Sequence, residues 1–281
     1  MMFTKSDFTP IGRVTGPIVS NLPNSGGDIY LFDLDAITTR SHGHLEHSFA
    51  VYLEDFARRR PCYLLTRENH NNVVTRVQNG IRQTFAGIFA ASGTELWVGQ
   101  EIRVRSEHDF PDELYEFVVN VVQKSAYPGK LAPLIDNGAA SLRICLAGTH
   151  STVSQLKAYS GWEREHQELP DIMREFQVRF PDYSIYQDTD TSLLVLPNSY
   201  SSALVQNNLL KRHKTARLIC YLTERSVTGY ADPLCNALLS SDIVSVVEAP
   251  SDVSQLLSYE NRRHSGVEPM IDLHHSEYEE V

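Results

Sequence analysis

The chain reads as an α/β protein, a parallel sheet interrupted by a block of different pattern. Three observations point there. The run Ile29-Tyr30-Leu31-Phe32 is too short for a helix and rich in strand formers, so it reads as a buried strand ending in two aspartates, Asp33 and Asp35. Residues 49–57 have helical spacing, stop at Arg58-Arg59-Arg60-Pro61 and lead into a second buried strand at 62–66. That strand–helix–strand order implies parallel pairing. From about 100 to 187 the pattern changes to short alternating segments between long amphipathic ones, and buried strands return at 217–222 and 243–247.

The elements follow in order. Residues 1–27 hold Pro10, Pro17, Pro23 and Asn24-Ser25-Gly26-Gly27 and read as an irregular leader. Residues 71–82 are the next helix, and 85–96 a strand and turn with Ser92-Gly93 in it. In the middle block, 101–104, 141–147, 183–186 and 192–196 look like strands, and 111–124 and 160–180 like helices. Helices at 204–213, 235–240 and 252–259 surround the last two strands. The polar end, 261–281, reads as a disordered tail.

Bulk composition narrows the classes. The 281 residues are enough for one large domain or two modest ones, and 42% hydrophobic content supports an ordinary core. A net charge of −10 argues against nucleic acid and anionic membranes as partners. No apolar run approaches the ~20 residues of a membrane helix, and the N-terminus has no signal-peptide core. Cys62, Cys145, Cys220 and Cys235 are scattered in apolar contexts. They read as buried free thiols in a reducing compartment, so a cytoplasmic location is expected.

Carboxylates at the carboxyl end of a buried strand lie where open α/β sheets bind ligands. A hard cation such as Mg²⁺, taken through one or two carboxylates plus substrate phosphate oxygens, would neutralise Asp33 and Asp35. The plainer alternative is a strand followed by an Asp-rich turn. His42, His44 and His47 have metal-ligand chemistry, but an exposed polar loop is the favoured reading. Arg58-Arg59-Arg60 reads as a helix end, and Trp97 and Trp162 as packing residues more than as sugar platforms.

Phe32-Asp33-Leu34-Asp35 resembles the first motif of the haloacid-dehalogenase (HAD) superfamily of phosphotransferases. The resemblance implies that Asp33 is a nucleophile forming an aspartyl phosphate and that Asp35 is the general acid and base. The family usually continues Gly-Thr where this chain has Ala36-Ile37, and only Gly takes positive φ freely. Thr66 matches the family's phosphate-binding Ser or Thr, although a plain helix N-cap would look the same. Tyr221-Leu222-Thr223-Glu224, then Asp232, resemble the last acidic motif of the branch with eukaryotic-type phosphomannomutases and trehalose- and sucrose-phosphate phosphatases. Ser245 to Pro250, then Ser251-Asp252, resembles that branch's closing strand and turn.

The resemblance therefore implies a Rossmann-like core over 28–99 and 188–260, with an α+β cap inserted over 100–187. It implies Mg²⁺ held by Asp33, Asp35, Glu224 and Asp232, the Asp35 share through its backbone carbonyl. A phosphorylated substrate would be held by Thr66, Arg67 and Arg143, and caps could pair into a homodimer. Two departures matter. The family's Lys is missing from Pro197-Asn198-Ser199-Tyr200-Ser201-Ser202, and Lys211 or Lys214 replaces it only if the fold brings one round. Asn137-Gly138-Ala139-Ala140 lacks the Arg of the phosphomannomutase cap, with Arg143 close by, so mutase activity is not expected. The expected function is a Mg²⁺-dependent phosphatase of a small phosphorylated metabolite, a sugar phosphate by analogy. The alternative is a catalytically impaired HAD-fold binding or interaction module. What discriminates them is whether a Lys or Arg lies within reach of Asp33.

Overall fold

The computed structural model describes residues 13–14, 27–38, 45–200, 203–223 and 238–264. In chain order its first elements are β1 (Arg13–Val14), β2 (Ile29–Asp33), α1 (Leu34–Ile37), α2 (His47–Arg59) and β3 (Cys62–Leu65). Then come α3 (His70–Arg76), α4 (Asn79–Thr84), β4 (Gly87–Ala90), β5 (Glu95–Val98) and β6 (Glu101–Arg105). The middle holds α5 (Asp112–Lys124), β7 (Ile135–Asn137), β8 (Leu142–Cys145), α6 (Val153–His166), α7 (Glu168–Arg179), β9 (Tyr183–Thr189) and β10 (Ser192–Pro197). The chain closes with α8 (Ala203–Arg212), β11 (Leu218–Thr223), β12 (Ile243–Val247) and α9 (Pro250–His264).

Eight strands form one sheet in the order β1-β6-β5-β4-β3-β2-β11-β12. From β4 to β12 the pairs are parallel; from β4 out to β1 they are antiparallel. The chain builds outward from β2 on one side, through β3 and β4, and returns to its other side as β11. That reversal makes the carboxyl end of β2 the crevice where such sheets bind ligands.

β2 is apolar throughout because both of its faces are covered. Tyr30 and Phe32 pack with Phe56 of α2 and with Val253 and Leu257 of α9. Ile29 and Leu31 pack on the other side with Val205 and Leu209 of α8. Phe32 stacks on Tyr221 of the neighbouring strand at 5.0 Å between centroids. Burying side chains of this size gains about 1.5–3 kcal/mol each.

A second sheet, β7-β8-β10-β9, is wholly antiparallel. Helices α5, α6 and α7 pack on it through Phe117, Tyr159, Leu169 and Phe176. The junctions expected at 99/100 and 187/188 do not coincide with the sheet boundary. β6 belongs to the large sheet, and β10 to the small one. β10 looks like a core strand because all six of its residues are buried. Leu193 and Val195 face the helices, while Leu194 and Leu196 form a separate cluster with Tyr186. The two chain crossings lie side by side, with the Tyr200 hydroxyl donating to the Glu107 carbonyl at 3.3 Å.

Two helices are shorter than their periodicity implies. The helix expected over 71–82 is broken between α3 and α4, where Val77 and Gln78 turn extended. The one expected over 160–180 begins earlier, at Val153, and breaks at Gln167, which takes a left-handed φ of 54°. Ala36 lies inside α1 and is not among the described residues with positive φ, so the family glycine is not required there. Cys62, Cys145 and Cys220 are buried and free. Among the described residues no helix is long and apolar enough to cross a membrane. The leader, His42, His44, Cys235 and most of the tail lie outside the described residues.

Candidate active site

β2 ends where its last residue, Asp33, becomes the N-cap of α1. The Asp33 side chain accepts from the Asp35 backbone N–H at 3.2 Å, and a cap of this kind is worth about 1 kcal/mol. Asp33 is buried, with 3% of its surface exposed, whereas the Asp35 side chain is 37% exposed. The turn that buries the first carboxylate thus presents the second to solvent.

The neighbouring strand β3 delivers Thr66 and Arg67. The Arg67 Nη1 atom lies 3.9 Å from Asp33 Oδ2. Thr66 is buried and its hydroxyl oxygen accepts from the Glu68 N–H at 3.1 Å. It does not cap the next helix: Asn69 does, accepting from the Asn72 N–H at 3.0 Å. Three successive carbonyls fix this loop. Thr66 accepts from the Ser92 N–H at 3.1 Å, Glu68 from the Ala91 N–H at 2.7 Å, and Arg67 from the Arg143 guanidinium at 2.8 Å. The first two donors sit in the β4–β5 turn, where Ala91, Ser92 and Gly93 all take positive φ. The third reaches across from the small sheet.

Arg143 also pairs with Asp188 of β9 at 2.9 Å, and the two side chains are 16% and 1% exposed. Burial alone would lower the Arg143 pKa; the carboxylates of Asp188, Glu68 and Asp136 outweigh it, and the net shift is upward. Arg143 is therefore a charged strut between cap and core as well as a cleft residue.

These groups line one cleft of about 330 Å³. Its core wall carries Asp33, Asp35, Thr66, Arg67 and Thr223, the last residue of β11. Its cap wall carries Lys157 and Ser160 of α6 and Asp190 and Thr191 of the β9–β10 turn. Val153, Leu156, Lys157 and Ser160 recur at the spacing of one helix face. Lys157 makes no hydrogen bond or ion pair with any described residue. Lys211 and Lys214 do not line the cleft. Among the described lining residues, the carboxylates of Asp33, Asp35, Glu68, Asp188 and Asp190 face the cations of Arg67, Arg143 and Lys157, and Arg76 behind them pairs with Asp35 and Glu68.

Asp33 and Asp35 supply the hard oxygen donors that Mg²⁺ takes. The other two implied ligands, Glu224 and Asp232, lie outside the described residues, as does Ser202. Among the described residues no three His, Cys, Asp or Glu side chains converge on a metal site. Trp97 stacks on His70 at 3.9 Å, and Trp162 packs against Tyr127, Tyr159 and His166. Neither lines the cleft.

The sequence missed Arg76, Lys157, Ser160, Asp188, Asp190 and Thr191. Arg76 carried a signal. It falls three residues after the buried Val73, on the apolar face of α3, where a cation needs an explanation.

Solved structures share this architecture. A haloacid-dehalogenase-like hydrolase from Bacteroides thetaiotaomicron superposes with a TM-score of 0.55 at 13% identity, over 83% of this chain and 98% of its own. The chain has the haloacid-dehalogenase fold. A second HAD-fold neighbour, the IMP-nucleotidase of Plasmodium falciparum, gives a TM-score of 0.55 at 12% identity, over 84% and 69% of the two chains. A subclass IIB sugar phosphatase of the HAD superfamily gives 0.52 at 12% identity, over 86% and 100%. No family model and no curated protein sequence matches the chain.

Proposed function

We propose that this HAD-fold chain is a Mg²⁺-dependent phosphatase that hydrolyses a small phosphorylated metabolite through an aspartyl phosphate on Asp33. The observation that carries this is the Arg67 guanidinium 3.9 Å from Asp33. It supplies, from the core, positive charge of the kind the missing family Lys would bring to nucleophile and phosphate. Such preorganised charge commonly lowers a barrier by several kcal/mol.

A carboxylate oxygen of Asp33 attacks phosphorus as the bond to the substrate oxygen breaks. Asp35 gives that oxygen its proton, then takes one from the water that attacks the aspartyl phosphate and releases inorganic phosphate. Thr66, whose hydroxyl hydrogen has no acceptor among the described residues, donates to a phosphoryl oxygen. Asp33 and the Asp35 carbonyl would hold Mg²⁺, which would supply charge offsetting that between carboxylate and phosphate. The hard carboxylate oxygens of Asp33 and Asp35 on one wall of the cleft support that reading.

The neighbours named for phosphatase activity act on a nucleotide in one case and on sugars in the other. Here the cap wall offers hydroxyls and carboxylates, and among the described residues no aromatic side chain lines the cleft. A nucleobase gains most from stacking on an aromatic ring, so the lining favours a hydroxyl-rich sugar phosphate. The test is phosphate release from a panel of hexose phosphates and p-nitrophenyl phosphate, with Mg²⁺ and with a chelator, for wild type and Asp33→Asn. Turnover that needs both Mg²⁺ and Asp33 supports the proposal. No turnover by folded, Mg²⁺-loaded protein would leave a HAD-fold binding module instead.

A further inference from the structure

Arg76 sits in the last turn of α3, where a cation ordinarily reaches into water. Here its side chain is only 6% exposed. A buried guanidinium is costly unless its donors are matched, and these are. Nη1 donates to Glu68 Oε1 at 2.6 Å. Nη2 donates to Asp35 Oδ1 at 3.0 Å and to Thr38 Oγ1 at 2.9 Å. The Thr38 hydroxyl in turn donates to the Leu34 carbonyl at 3.0 Å. One side chain thus ties both ends of the short helix α1 to the loop that carries Thr66 and Arg67.

The arrangement divides the two oxygens of Asp35. Oδ1 is occupied by Arg76, and Oδ2 has no partner among the described residues. We infer that Arg76 is the positioning residue of the acid–base step, holding Asp35 so that Oδ2 delivers and receives the proton. The inference rests on the phosphatase reading above. As the phosphorus–oxygen bond breaks and the Asp33–phosphorus bond forms, the proton moves from Oδ2 to the leaving oxygen. In hydrolysis a water proton moves to Oδ2 as the Asp33–phosphorus bond breaks. Arg76 touches neither substrate nor phosphorus.

A positioning role has a signature that general destabilisation lacks. A sugar hydroxyl leaves only with a proton, whereas p-nitrophenolate leaves without one. The experiment compares kcat/KM, which reports the step that expels the leaving group and not the hydrolysis both substrates share, for p-nitrophenyl phosphate and for the fastest hexose phosphate of the panel, in wild type, Arg76→Met and Arg76→Lys. General acid catalysis is commonly worth 10²–10⁴-fold, so misplacing the acid in Arg76→Met should lower the hexose-to-aryl ratio about tenfold or more. Arg76→Lys, which keeps one donor for Oδ1, should recover part of it. In an Asp35→Asn background, Arg76→Met should change the ratio no further, because the two residues act as a unit. Equal losses on both substrates, or a further fall in that background, would overturn the inference and leave the phosphatase reading standing. If Arg76→Met does not fold, Glu68→Gln removes the second anchor and should shift the ratio in the same direction by less; an unchanged ratio would overturn it. A wild-type protein that turns over neither substrate would overturn both readings.

Discussion

The two walls of the cleft are built differently. On the core wall, Asp33, Thr66 and Arg67 stand at the ends of adjacent parallel strands, and three backbone carbonyls in a row are bonded in place. On the cap wall, Lys157 and Ser160 ride on one face of α6, and Asp190 and Thr191 on a hairpin turn. Lys157 is exposed and has no described partner. The first wall holds a fixed geometry, as bond-making chemistry requires. The second presents ammonium, hydroxyl and carboxylate groups, the kinds of group that the proposed recognition of a sugar phosphate would use. Substitutions on each should separate the two roles.

The largest effect belongs to Asp33→Asn. Phosphate release should fall by roughly three orders of magnitude or more, as when other enzymes lose their nucleophile. The circular dichroism spectrum should not change. Turnover within tenfold of wild type would place the chemistry on another residue. Next is Arg143→Met, which strands Asp188 as a buried, unpaired carboxylate. Breaking such a pair costs about 3–5 kcal/mol, to be read as a loss of stability in urea. Adding Asp188→Leu should restore much of that loss, and a single-variant loss under about 1 kcal/mol would show the strut to be dispensable.

Lys157→Met should act on recognition. A hydrogen bond to a charged group is worth about 1.5–3 kcal/mol, so KM for a hexose phosphate should rise about tenfold while kcat moves far less. A fall in kcat with KM unchanged would put Lys157 on the chemical side of the comparison.

The smallest effect is on stability in mild acid. Burial lowers the pKa values of His70, His108 and His213 from the ordinary 6.5. Each therefore prefers to be neutral in the folded protein. Their contribution is fully present above pH 6.5 and is lost as the pH falls below it towards the lowered values. His213 accepts or donates at the Tyr63 hydroxyl at 2.8 Å. His213→Gln should flatten part of the slope of unfolding free energy between neutral and mildly acidic pH, and an unchanged slope would assign it to other groups.

What could be read from the chain alone was what is local in it. The run ending at Asp33 announces a covered strand because both of its faces meet helices, and Thr66 closes the next strand by the same logic. Features set by long-range contact were hidden. Arg76 meets Asp35 across 41 positions, and Arg143 meets the Arg67 carbonyl across 76. β10 was indistinguishable from a core strand, because being covered on both faces gives the same apolar run in either sheet. The helix break at Gln167 was masked by apolar spacing that continues through it, since a left-handed residue other than glycine leaves no compositional mark.

The Tyr200–Glu107 contact has a consequence for how such a protein can diversify. The small sheet enters and leaves the large one through a single doorway. A segment whose two ends meet can be enlarged, trimmed or exchanged without pulling on the strands that flank it. The cleft residues carried by the small sheet and its helices can then be rewritten over generations while Asp33, Thr66 and Arg67 keep their places.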